Sequence, residues 1–140
     1  MILEFPGPHF LTVDEVLSLH ADQLRLFGGA GGIRDRHALE SAVGQPQATF
    51  DGSYLHGDIF LMAAAYAFHI AENQPFVDGN KRTALNAALV FLDVNGWVVS
   101  DPGMQLYDAM IGLSTRSMDK ASLAKLLREL ALPEDEIALS

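Results

Sequence analysis

Between Thr12 and Phe27 the apolar positions Val13, Val16, Leu17, Leu24 and Phe27 recur at helical intervals. Thr12 followed by Glu15 has the spacing of a capping box, so a first helix is predicted over 13–27. Gly28-Gly29-Ala30-Gly31-Gly32 ends it, because four glycines in five residues supply the positive φ values of a helix stop. The run Arg34 to Val43 predicts a short second helix with Asp35 near its N-cap, broken by Gly44-Gln45-Pro46-Gln47. Residues 48–55, with Thr49, Phe50 and Tyr54 around the turn Asp51-Gly52, have the composition of a small hairpin or flap.

Two later segments are apolar nearly all round. One runs from a cap at Asp58 to Asn73, the other from about Asn80 to a stop at Asn95-Gly96. Helices of that kind belong in the middle of a domain. Ala63, Ala64, Ala67, Ala84, Ala87 and Ala88 would let the two approach closely. Trp97-Val98-Val99 is a brief apolar stretch before the turn Asp101-Pro102-Gly103. Two further helices are predicted over Gln105–Leu113 and Ser122–Leu130, the second capped by Ser117 or Asp119 and carrying the stripe Leu123, Leu126, Leu127 and Leu130. The expected fold is all-α: a compact single-domain bundle of about six helices over 1–140, with a flap near 48–55. A flexible lead-in at 1–11 and a solvated acidic tail at 133–140 flank it.

Composition narrows the function. With 49% hydrophobic and 19% charged residues the chain is too apolar for disorder. Its longest apolar run, Ile59 to Ile70, falls short of the roughly 20 residues that span a bilayer. No basic start precedes an apolar segment, so no signal peptide or membrane partner is expected and the location expected is cytoplasmic. Cysteine is absent, which removes disulfides and thiol catalysis. The five histidines are scattered without an i, i+4 pair, which argues against zinc. A net charge of −9 argues against nucleic acid as a partner.

Against that acidic background, Gln74-Pro75-Phe76-Val77-Asp78-Gly79-Asn80-Lys81-Arg82 stands out. It is a loop feeding the start of a buried helix, where unpaired N–H groups and the positive end of the helix dipole favour an anion. Gly79 admits a phosphate close to the backbone. Lys81 and Arg82 add charged donors at positions where the dipole disfavours them unless an anion sits nearby. Asn80 is expected both to cap the helix and to contact phosphate. Asp78 offers the hard oxygen that Mg²⁺ prefers, and that ion commonly takes one or two carboxylates and finds its other ligands in phosphate and water. A nucleotide triphosphate with Mg²⁺ is the ligand these residues suit. Phe76 is expected to anchor the loop in the core. His69 lies five residues before Gln74, about 140° around a helix, and so points elsewhere. The glycines at 28–32 lack a following Lys-Ser/Thr and are taken as a turn.

In register, Phe76, Asp78, Gly79, Asn80, Lys81 and Arg82 match the signature His-x-Phe-x-acid-small-Asn-(Gly/Lys)-Arg, so the chain resembles the Fic/Doc family from roughly Thr12 to Leu130. Lys81 in place of glycine and Leu85 in place of a second arginine resemble the death-on-curing (Doc-like) toxin branch more than the adenylylating one. The resemblance implies phosphoryl transfer from ATP to a threonine of elongation factor Tu, with adenylyl transfer the lesser alternative. It also implies an antitoxin partner of the Phd type whose disordered C-terminal segment folds onto the toxin, and a flap that docks the target. Gln74, Asp78 and Lys81 would be catalytic, Gly79, Asn80, Lys81 and Arg82 would hold phosphates, and Asp78 would hold the metal. Gln74 stands where the family has its histidine base. An amide does not take a proton near neutral pH, so general-base catalysis, worth about 10² to 10⁴ in rate, is expected to be missing. Phosphoryl transfer rests mostly on positioning, and Gln74 can still orient a hydroxyl. A catalytically inactive nucleotide-binding module is the alternative from a different class.

Overall fold

A computed structural model describes residues 7–135; the parts of the expected lead-in and acidic tail at 1–6 and 136–140 lie outside the described residues. The chain forms α1 (Val13–Phe27), α2 (Arg36–Gly44), a 3₁₀ turn (Gln45–Gln47), β1 (Thr49–Phe50), β2 (Ser53–Tyr54), α3 (Ile59–Asn73) and α4 (Asn80–Val94). After these come β3 (Trp97–Val99), α5 (Gln105–Thr115), α6 (Lys120–Leu130) and β4 (Ala131–Pro133). The predominantly helical architecture and the hairpin at the predicted flap agree with the sequence.

Helix starts are set by side chains that take the first amides. Thr12 and Glu15 form both halves of a capping box on α1, and Asp35, Asp58 and Asp119 cap α2, α3 and α6. At α5, Asp101 accepts from the amides of Gln105 and Leu106 at 2.9 and 2.7 Å. A cap of this kind contributes about 1 kcal/mol. The N-cap residues of α4 and α5 both make no side-chain cap, but Asp101 takes the first amides of α5, and among the described α-helices α4 alone is left with none.

At the centre, α3 packs chiefly on α4 and also meets α2, α5 and α6. Ala63, Ala64, Ala67, Ala84, Ala87 and Ala88 are all fully buried, as their small size at the helix pair requires. Tyr66 fills the space beside Phe91, with ring centroids 5.1 Å apart. Its hydroxyl accepts the Leu11 amide at 2.8 Å, and burial pushes the phenol up to about 12. The described end of the lead-in is therefore pinned. Leu11 is buried, and the His9 backbone exchanges two hydrogen bonds with the Asn95 side chain.

Two segments go further than the sequence reading. The α-helix α2 ends at Gly44 as expected, and Gln45–Gln47 then forms a 3₁₀ turn, since Pro46 can occupy the first turn of a helix. The stretch Trp97–Val99 is a strand, paired antiparallel with Ala131–Pro133 in the register Trp97↔Pro133, Val98↔Leu132 and Val99↔Ala131. The acidic tail thus begins later than residue 133, whose strand is extended by a 2.9 Å bond from the Glu134 amide to the Gly96 carbonyl.

His69, set aside as a base, belongs to a structural cluster. The Lys120 ammonium donates to His56 Nε2 at 3.1 Å and to His69 Nε2 at 3.0 Å, joining the exit of the flap to α3 and α6. An ammonium has no acceptor, so both Nε2 atoms must be unprotonated. Burial and the neighbouring cation lower both histidines, His69 to about 4.

Two outcomes follow from this packing. Ala87→Leu should overfill the α3–α4 contact and destabilise the fold by about 1–3 kcal/mol in urea unfolding, whereas a neutral substitution would contradict the close approach. The histidine contribution has a definite sign. Folded-state values below the unfolded 6.5 mean the unfolded chain binds more protons, so this stability is present above pH 6.5 and lost as pH falls toward about 4. The urea midpoint should drop across that window more steeply for the native chain than for His69→Gln; identical profiles would rule the cluster out as the cause.

Candidate functional site

The loop from Gln74 to Gly79 must reverse the chain between two buried helices. Gln74 does so by closing α3 in the left-handed region, with φ 45° and ψ 58°, its amide donating to the Ile70 carbonyl at 3.1 Å. For a residue with a Cβ that conformation costs on the order of 1–3 kcal/mol, so its surroundings must hold it. They do. The Arg34 guanidinium donates from Nε to the Gln74 carbonyl at 2.7 Å and from Nη2 to the Asn73 carbonyl at 2.8 Å. A cation thereby caps the negative end of α3.

The glycine-rich segment is more than the turn expected from sequence. It runs beside the loop as an extended strip: the amides of Arg34 and Asp35 donate to the Pro75 carbonyl, Ile33 bridges Phe76, and the Val77 amide donates to the Gly32 carbonyl. Pro75 and Phe76 are fully buried between these partners. The Phe76 ring stacks on His20 of α1, with centroids 3.7 Å apart and planes 6° from parallel. His20 Nε2 lies 2.8 Å from the Asp78 carbonyl, which can only accept, so Nε2 carries the proton.

Asn80 does not cap α4 as expected. Gly79, with φ 77°, is the N-cap, and the Asn80 side chain turns back: Oδ1 accepts the Phe76 amide at 2.9 Å and Nδ2 donates to the Phe76 carbonyl at 3.0 Å. The Asn80 amide is thus committed to the loop that precedes it. The Gly79 N–H, assigned to phosphate from sequence, donates to Asp78 Oδ1 at 2.9 Å, while Oδ2 accepts the Ala30 N–H at 3.3 Å.

What remains for a ligand is a cleft of about 650 Å³ lined by Gln74, Asp78, Gly79, Asn80, Lys81 and Arg82, with Tyr107 and Ser114 of α5 also in its wall. The residues predicted for the site are therefore together. Lys81 forms no ion pair among the described residues, and the Arg82 guanidinium lies 5.0 Å over the Phe27 ring. Both are exposed at the uncapped start of α4, so unpaired amides and two cations share one side of the cleft. Gln74 is exposed and also borders a smaller recess with Glu72, Leu113 and Ser114.

His20, Arg34, Tyr107 and Ser114 were not picked out from sequence. His20 had a usable signal, since it falls four residues after Val16 and four before Leu24, on the apolar stripe of α1. Arg34 had none, because its partners are carbonyls about 40 residues away.

The Asp78 carboxylate lines the cleft, and with two amides bonded to it still has lone pairs open to a cation. Among the described residues no three metal-ligating side chains cluster, so any ion here would rely on one carboxylate plus ligand and water oxygens, which suits Mg²⁺ and not zinc.

A model of the Fic/DOC family matches residues 10–92. The chain is 35% identical over 120 residues to a protein named Protein kinase doc from Escherichia phage P1, a match covering 86% of this chain and 94% of that one. It is 40% identical over 100 residues to a protein named Toxin Doc from Mycolicibacterium smegmatis, covering 70% of this chain and 77% of the relative.

Replacing His20 by Leu removes the donor to Asp78 and the ring stack, and should cost about 1–3 kcal/mol of stability. It should also speed hydrogen exchange at the Val77 amide. Unchanged stability and exchange would show that α1 does not hold the loop.

Proposed function

Because this chain belongs to the Fic/DOC family, we propose that it is a Doc-like toxin that transfers the γ-phosphoryl group of ATP to a serine or threonine hydroxyl of a translation factor, elongation factor Tu by family resemblance. The observation that carries this reading is the open start of α4, where unpaired amides, Lys81 and Arg82 face a cleft large enough for a nucleotide. The names of the relatives agree with it.

In the proposed reaction, the amides at the start of α4 and the Lys81 and Arg82 side chains bind the phosphates and absorb charge that spreads over the equatorial oxygens. Asp78 would hold Mg²⁺, which when bound neutralises charge on the β- and γ-phosphates. The Gln74 side-chain oxygen orients the acceptor hydroxyl. The bond from the γ-phosphorus to the bridging oxygen breaks, ADP leaves, and a new oxygen–phosphorus bond forms on the acceptor. Its proton leaves to water or to a phosphate oxygen, because an amide does not retain it. Turnover is accordingly slow.

Exposed Phe50, Tyr54 and Leu55 make the hairpin a surface suited to dock an extended segment of the target. An antitoxin of the Phd type is the proposed partner, and the cytoplasm the proposed location. No helix among the described residues is long and apolar enough to cross a membrane.

Gln74 favours one other function, a nucleotide-binding module without catalysis. ATP labelled separately at the α and γ positions, incubated with candidate translation factors, separates the possibilities. The γ label should appear on the target at a low rate, and Gln74→His should raise that rate by about 10²- to 10⁴-fold. Label from the α position on the target would mean adenylyl transfer. ATP binding without transfer in either form would leave the binding module as the function.

A further inference from the structure

We propose that the Gly28–Gly32 segment is part of the cation site, and that Gly29 and the Ala30 amide are positioning elements that hold the Asp78 carboxylate in its orientation toward the cleft. This inference rests on the assignment of Asp78 to Mg²⁺ above.

Three observations converge on it. The carboxylate is gripped from two sides, by the Gly79 amide on Oδ1 at 2.9 Å and by the Ala30 amide on Oδ2 at 3.3 Å. A carboxylate has about four lone-pair sites, so two amides orient the group and still leave it able to ligate a cation. The Ala30 amide reaches Oδ2 only because the chain beside it carries no side chain. A Cβ on Gly29 would lie 2.8 Å from Asp78 Oδ2, 3.2 Å from Asp78 Cγ and 3.1 Å from Leu24 Cδ2. Gly29 itself has φ 122°, a conformation that L side chains rarely adopt. Neighbouring Gly28 also has a positive φ, 78°, yet a Cβ there would meet nothing within 4 Å. Strain is common to both positions, whereas the approach to Asp78 belongs to Gly29 alone.

Outer partners that orient a metal ligand typically matter by about 10- to 100-fold in metal affinity. A neutral, loosely held side chain at 78 would lose that advantage even with its oxygen still in the cleft. Neither Gly29 nor Ala30 lines the cleft, so both would act through Asp78.

The test is calorimetric titration with a non-hydrolysable ATP analogue, with magnesium chloride or with EDTA, on the native chain, Gly29→Ala and Gly28→Ala. In the native chain Mg²⁺ should tighten binding. In Gly29→Ala the enhancement should shrink by about 10-fold or more while metal-free binding is kept, and Gly28→Ala should behave like the native chain. Retention of full enhancement in Gly29→Ala overturns the proposal. Equal loss in both variants also overturns it, because backbone strain and not the contact to Asp78 would be responsible. Nucleotide binding by the native chain that ignores Mg²⁺ overturns the metal assignment itself while leaving the phosphate-binding start of α4 standing.

Should Gly29→Ala fail to fold, the Ala30 amide can be read by NMR in the native chain. Its resonance should move in Asp78→Asn and on adding the analogue with Mg²⁺. An Ala30 resonance unmoved by either would sink the proposal.

Discussion

A short loop between two buried helices must leave no backbone group without a partner, and the site depends on how that constraint is met. Burying the chain at Pro75 and Phe76 takes the Phe76 amide and both carbonyls from water, each at a cost comparable to a lost hydrogen bond. The strip after α1 takes the Pro75 carbonyl, and the Asn80 side chain, at the first residue of α4, takes the Phe76 amide and carbonyl; the Arg34 guanidinium and the His20 ring take the Asn73, Gln74 and Asp78 carbonyls on either side. With so many independent contacts over-determining six residues, a left-handed Gln74 becomes tolerable and the start of α4 is aimed without freedom.

The proposed reaction would use that rigidity. Phosphoryl transfer asks little covalent chemistry of a protein and much positioning, and groups already fixed in place need not reorganise as charge develops. Every other α-helix start among the described residues has at least one first-turn amide bonded to a side chain, while α4 opens without one beneath two cations. In a chain of net charge −9, this is a local reversal of sign. Gln74 lines the same cleft, so in the proposed reaction the departure from the family's histidine would change the proton chemistry and leave the start of α4 as it is.

Helix boundaries could be read from sequence because their causes are local. Thr12 with Glu15, Asp35, Asp58 and Asp119 announce starts within three residues of where they act, and Gly28 and Gly96 mark ends. The site residues could be gathered because they are contiguous. What escaped was everything that depends on distant pairing. The β3–β4 ladder joins residues more than 30 apart, and the glycine strip meets a loop more than 40 residues on. Asn80 misled for a related reason: asparagine commonly caps a helix, but Gly79 takes the left-handed cap position and frees the amide to clamp Phe76. His20 was passed over because a histidine on an apolar stripe has no local mark of its partner, here a carbonyl 58 residues away.

The central claim is that the start of α4 is a site for phosphate. Its most direct test is a ¹H–¹⁵N titration of the native chain with ATP and magnesium chloride. The backbone amides of Asn80, Lys81 and Arg82 should show the largest shifts, saturating together with a single affinity. Shifts concentrated anywhere else, or none at saturating nucleotide, would contradict the account.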